Sequence, residues 1–171
     1  EKMAAAASEA NLRDDLAARW EAMWNDEPAA LPSDAMPVVA SVLAAEGRDA
    51  VALRMIDAFI ADGGDPDSVQ DARLALLRAQ ARWAEVGELV RARAEAAAEP
   101  DERRRLLREA AEAFVQDRDT EADADEAYST LLDGGFDVDA CDALESLRLE
   151  RGDLDGVIDV VRLRAESTPQ T

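Results

Sequence analysis

Trp83-Ala84-Glu85-Val86-Gly87-Glu88-Leu89-Val90-Arg91-Ala92-Arg93-Ala94-Glu95 and Leu154-Asp155-Gly156-Val157-Ile158-Asp159-Val160-Val161-Arg162-Leu163-Arg164-Ala165-Glu166 read as one helix written twice, the second 71 positions after the first. Val, Val, Arg, Arg, Ala and Glu coincide. Asp62-Gly63-Gly64 recurs as Asp133-Gly134-Gly135 at the same separation of 71. Two separate features that share one offset mark a duplicated unit, which is how repeat architectures announce themselves.

Working outward from those stretches, each copy resolves into four helices. In the first, Ser33 or Asp34 caps a helix running to about Glu46 with Met36, Val39, Val42 and Leu43 inward and Gly47 as its stop. Asp49 caps the next, which carries Val51, Leu53, Ile56, Phe59 and Ile60 and ends at Asp62-Gly63-Gly64. Asp65-Pro66 sets a cap before a proline at the first helical position, where a missing N–H costs nothing. Val69, Leu74, Leu76 and Leu77 line that third helix, and a tight turn near Ala81 leads into the Trp83 stretch.

The second copy opens at Pro100, with Leu106, Leu107, Ala110, Phe114 and Val115 apolar. Asp119 or Thr120 caps a helix with Tyr128, Leu131 and Leu132. Asp137 or Asp139 starts another with Cys141, Leu144, Leu147 and Leu149, closed by Arg151-Gly152-Asp153 before the Leu154 stretch. Ahead of both copies, residues 1–7 are expected to fray. Ser8 is read as the cap of a helix whose stripe is Leu12, Leu16, Trp20 and Met23 or Trp24, and 25–32 as a linker. The expected organisation is a capping helix with its linker at 1–32 and a helical repeat domain at 33–171. Nowhere do Val, Ile, Thr and aromatics alternate with the period of two that marks strands. The fold class is therefore all-α, with about nine helices.

A 71-residue period over four helices gives about 35 residues per helix pair, near the ~34 of tetratricopeptide repeats and shorter than HEAT or armadillo units. Cys141 to Arg164, with Leu144, then Arg151-Gly152-Asp153-Leu154, then Val157 and Val161, resembles a repeat of that family. Gln80-Ala81-Arg82-Trp83 is the same turn without its glycine. Arg148 stands where the family usually has an aromatic, and Glu145 replaces the small residue at the close-packing point. The resemblance implies an α-solenoid of antiparallel helix pairs, in which the first helix of each pair lines a concave groove. In the family's register that face carries Asp139, Asp142, Ser146 and Leu149, and in the other copy Ser68, Asp71, Ala75 and Arg78. Asp71 and Asp142 stand 71 apart, so the duplication keeps a carboxylate there.

Composition narrows the function classes. Only Lys2 is a lysine among 19 basic residues, a bias expected of a GC-rich bacterial coding sequence. The net charge of −20 repels phosphate and anionic lipid and favours a partner with a basic surface or segment over nucleic acid or a membrane. No apolar run approaches the ~20 residues of a membrane span. Without a basic-then-apolar leader, the expected location is cytoplasmic. The start at Glu1 and the Ser167-Thr168-Pro169-Gln170-Thr171 tail suggest a piece of a longer protein.

Chemistry is hard to place in these residues. There is no histidine, which removes the commonest general base and zinc ligand. Cys141, the only cysteine, excludes an intrachain disulfide and reads as a small core residue. The acidic run from Asp117 to Glu126 imitates a calcium loop but has Ala122 at the sharp turn and Tyr128 at the bidentate position. Asp153 to Asp159 fails likewise, with Arg151 and Arg162 at the first and last ligand positions. Both runs are expected to be helix caps and first-turn acids, with no metal and no cofactor. Arg103-Arg104-Arg105 with Arg108 is expected to pair with Glu99, Asp101, Glu102, Glu109 and Glu112 within its own helix.

The reading is a non-catalytic scaffold or adaptor module that holds a basic or amphipathic partner segment in an acidic groove. The alternative is a structural spacer or self-assembly segment, with Trp20 and Trp24 as an apolar interface instead of a sealed end.

Overall fold

A computed structural model describes residues 2–27 and 32–167, with side chains from residue 12 onward except Ser33. No described residue is in a strand, and nine α-helices occur among the described residues. They are α1 (Lys2–Asp26), α2 (Met36–Ala45), α3 (Asp49–Ala61), α4 (Gln70–Ala79), α5 (Trp83–Ala96), α6 (Pro100–Val115), α7 (Glu121–Asp133), α8 (Val138–Glu150) and α9 (Leu154–Ser167). No described helix is long and apolar enough to cross a membrane.

The chain divides into two compact units, Glu1–Ala81 and Arg82–Thr171. This boundary falls between α4 and α5. In the first unit α3 lies between α2 and α4. Its side chains Val51, Ala52, Leu53, Met55, Ile56 and Phe59 are all buried, more than one face's worth, because a helix covered on two sides needs apolar residues around most of its girth.

Helix α1 differs from its expectation at both ends. It begins at Lys2, so Ser8 lies inside it and not at a cap, and it runs to Asp26. Residues 28–31 of the linker expected at 25–32, and 168–171 of the expected tail, lie outside the described residues. Where α1 meets α2, Ala17 and Trp24 are buried, while Leu12 and Leu16 of the expected inward stripe stay exposed. Small Ala17 lets α1 approach at that point. Arg48, just before α3, fastens α1 by ion pairs to Asp14 at 2.9 Å and to Glu21.

In the second unit α6 packs along both α5 and α7, and α8 along both α7 and α9. Gly87 and Phe114 set the α5–α6 approach: the fully buried Phe114 ring fills the space a side chain on residue 87 would occupy. Arg91, one turn on, lies over the same ring, 5.6 Å from its centroid. Val86, Val90 and Ala94 complete the buried side of α5. Val115, expected inside, is 45% exposed.

The turns show where the two copies agree and where they part. Gly152 closes α8 with φ +72°, its N–H donating to Leu149 O (3.0 Å) and that of Asp153 to Arg148 O (2.9 Å). These are the paired bonds of a left-handed helix stop. Ala81, 71 positions earlier, holds φ +53° without being glycine. A Cβ there opposes the carbonyl, so Ala81→Gly is expected to stabilise the chain by about 0.5–1 kcal/mol, net of the unfolded-state entropy glycine adds. Urea unfolding followed by circular dichroism reads this directly. The Gly-Gly pairs diverge more: α3 ends with Gly64 N–H on Phe59 O at 2.9 Å, whereas at the end of α7 Arg104 donates to Leu131 O and Gly135 O, both at 3.1 Å. A guanidinium from α6 thus caps the second copy's turn.

Candidate partner-binding faces

The positions assigned to the groove form two helix faces, one in each compact unit. Ser68, in the short 3-10 turn Pro66–Ser68, is followed on α4 by Asp71, Ala75 and Arg78, and all four are exposed. Spacings of three, four and three put them on one side of the helix, opposite buried Leu74 and Leu77. Asp65 accepts from Asp67 N–H at 3.1 Å, and Ser68 Oγ donates to Asp65 O at 2.6 Å. The Ser68 hydroxyl therefore serves its own turn first.

On α8 the matching residues Asp139, Asp142, Ser146 and Leu149 are likewise exposed, Leu149 at 51%, and lie opposite Ala140, Leu144 and Leu147. Asp137 caps this helix by accepting from Ala140 N–H at 3.1 Å. Ser146 Oγ donates back to Asp142 O at 2.9 Å. Asp142 is bound by Arg164 of α9, which also reaches Glu145 at 3.1 Å. Asp139 makes no ion pair among the described residues.

The two faces are less acidic than the net charge suggests. One sets Asp71 against Arg78, and the other has two carboxylates of which Arg164 holds one.

Trp20 and Trp24 do not form an open aromatic patch. Trp24 is 9% exposed and Trp20 half-buried; among the described side chains of α1, the large apolar ones left exposed are Leu12, Leu16 and Met23.

Elsewhere the charged motifs are spent on structure. The acidic run disperses: Asp117 accepts from Asp119 N–H at 3.1 Å, and Asp123 and Glu126 both lie 3.6 Å from Arg91. Asp125 takes a two-point bond from Arg148, Nη2 at 2.8 Å and Nε at 2.9 Å. Arg148 goes on to Ser129 Oγ (3.1 Å) and Gly156 O (3.0 Å), so one guanidinium ties α7, α8 and α9 together. It does the tying where the tetratricopeptide resemblance implies an aromatic. Its bond holds the Asp125 carboxyl below the usual range against the opposing effect of burial, with Arg151 adding to the effect.

The arginine cluster departs from its expectation. Only Arg105 pairs within α6, with Glu102 at 2.7 Å and Glu109 at 3.2 Å. Arg104 and Arg108 instead converge on Asp137, Arg104 from 3.6 Å. Burial opposes ionisation of Asp137, but the Ala140 N–H and the two cations outweigh it and its pKa falls. Helical spacing alone could not reveal this, because Asp137 is 29 residues from Arg108 and the loop brings it back.

A recess of about 440 Å³ between α5, α6 and α7 was not foreseen at all. It is lined by Arg91, Arg103, Glu95, Asp123 and Glu126 among others, charges that largely offset one another. Cys141 is fully buried, and burial pushes its thiol up, away from the reactive thiolate.

No protein-family model, curated protein or solved structure matches this chain.

Proposed function

We propose that this chain is a non-catalytic protein-interaction module built from tetratricopeptide-like helix pairs. It works in a bacterial cytoplasm and takes a basic or amphipathic segment of a partner on the α4 and α8 faces. The observation that carries the reading is that the same four helix positions, 71 residues apart, are exposed in both copies. A duplicated unit that keeps one face bare while burying the opposite one keeps a surface for something else. The missing histidine and the inert Cys141 thiol support a role without chemistry.

The test uses a fluorescently labelled, arginine-rich amphipathic peptide and its anisotropy at 50 and 500 mM salt. Asp71→Arg and Asp139→Arg are each expected to weaken binding about 3- to 10-fold at low salt, with smaller effects at high salt. Binding indifferent to both substitutions and to salt would sink the assignment.

A structural, self-assembling role is the second reading. Leu12 at 60%, Leu16 at 36% and Met23 at 37% exposure on α1 favour it, taking the place of the tryptophan pair.

A further inference from the structure

Helices α5 and α9 are the two copies of the stretch from which the fold was read, yet their outer stripes meet opposite fates. On α5, Gly87, Val90 and Ala94 are buried under α6, with Trp83 half-buried beside them. On α9 the matching residues Leu154, Ile158, Val161 and Ala165 are all exposed, the first three at 65%, 53% and 48%. The same face that receives a helix in one copy lies bare in the other. Ile158 in place of Gly87 also means that a second aromatic like Phe114 does not fit there.

The sequence of α9 indicates what does fit. Leu154, Ile158, Val161 and Ala165 follow the four-three-four spacing of a coiled-coil seam, with Asp155 and Arg162 both at the position just after the first and third of them. If a second α9 lies antiparallel, Leu154 meets the partner's Ala165, large against small, and Ile158 meets the partner's Val161, two β-branched residues of similar size. The same arrangement brings Asp155 to the partner's Arg162, and by the twofold the reverse pair as well. A parallel pairing stacks Leu on Leu and leaves those charges unmatched.

Asp155 makes no ion pair among the described residues. Arg162 is 64% exposed and, among the described residues, its one ion pair is with Asp159 of its own helix, at 3.3 Å. Helix α9 itself carries three acids and two arginines, close to neutral in a chain of net charge −20, so this is a place where two copies can approach.

We propose that α9 is a self-association surface: two copies of this chain pair through antiparallel α9 helices about a twofold axis, with Leu154, Ile158, Val161 and Ala165 as the seam and Asp155–Arg162 as reciprocal ion pairs. This surface is separate from the α4 and α8 faces and stands whether or not they bind a partner. A seam of two heptads falls below the ~1,200 Å² of a standard interface, so the dimer is weak and concentration-dependent.

Sedimentation velocity of the whole chain at 150 mM salt, from about 10 µM to about 1 mM, provides the test. The sedimentation coefficient of the wild type is expected to rise with concentration, and Ile158→Glu to remove that rise with helicity unchanged, since the position is exposed. Leu16→Glu on α1 leaves it intact. Asp155→Arg and Arg162→Asp each weaken association about 10-fold or more, while an equimolar mixture of the two restores it, because each charge then meets its opposite. A wild type that stays monomeric throughout, association that survives Ile158→Glu, association lost in Leu16→Glu, or no rescue in the mixture overturns the proposal.

Discussion

Phe114→Ala is expected to cost about 3–5 kcal/mol of stability, because it empties a fully buried ring-sized space between α5 and α6 and strips Arg91 of the face it lies over. Its partner Gly87 gives the sharper result. A Cβ on residue 87 would come within 2.5 Å of Phe114 Cδ1, and the ring, enclosed on all sides, has nowhere to move. Overpacking of that kind costs about 1–3 kcal/mol, which exceeds the gain of about 1 kcal/mol that alanine brings to a helix interior. Gly87→Ala alone is therefore expected to destabilise.

In the Phe114→Ala background the sign reverses, since the methyl then occupies vacated space and the helix propensity gain remains. The double-mutant cycle, measured by chemical denaturation, should return a coupling of about 2 kcal/mol. Additivity would show that the ring does not set the approach of these helices.

Arg148→Met carries the second large effect. The methionine keeps the stem's packing but removes every bond that Arg148 makes to Asp125, Ser129 and Gly156 O, and leaves the Asp125 carboxylate, 20% exposed, with Arg151 at 3.5 Å and the Ser129 hydroxyl at 3.4 Å. A loss of about 2–3 kcal/mol at pH 7 is expected, discounted from the ~3–5 kcal/mol of a fully buried pair broken on one side. The pH dependence identifies the cause. The folded state depresses the Asp125 pKa, so its contribution is complete above the unfolded value of about 3.9 and is lost as pH falls through the lower, folded one. The stability gap between wild type and Asp125→Asn should be constant from pH 7 to about pH 5 and close below about pH 4. A gap that does not narrow at all as pH falls below about 4 would mean that shape, not charge, makes the difference.

Helix content, and most helix positions, could be read from the residues. Apolar side chains at 3.6-residue spacing, Gly47 and Gly152 as stops, and Asp65 and Asp137 as caps all act within one or two turns of chain, and local signals need no tertiary knowledge. Positions 68, 71, 75 and 78, and 139, 142, 146 and 149, follow from the register that the tetratricopeptide resemblance implies; a helix with one apolar side turns the polar ones among them outward, whereas Leu149 is apolar and exposed all the same. Leu12 and Leu16 misled because an apolar stripe records what a helix could bury, and of the described α1 side chains only Ala17 and Trp24 are buried. Ser8 misled because a good capping residue tolerates a helix interior when the turns before it, rich in alanine, are themselves strong helix formers.

By itself the sequence determined that the chain is helical, that one 13-residue stretch recurs in part 71 positions on, and that it holds no histidine and a single cysteine. Tertiary structure alone decided which helix faces are covered: Val90 is fully buried on α5, which packs against α6, whereas Val161, a valine 71 residues on, is 48% exposed among the described residues. It also decided where the arginines go. Arg104, Arg108 and Arg148 hydrogen-bond to groups 19 to 31 residues away in sequence, Gly156 O excepted, Arg104 also pairs with Asp137, and a guanidinium on a long stem is indifferent to its own helix when a loop brings a carboxylate or a carbonyl within reach.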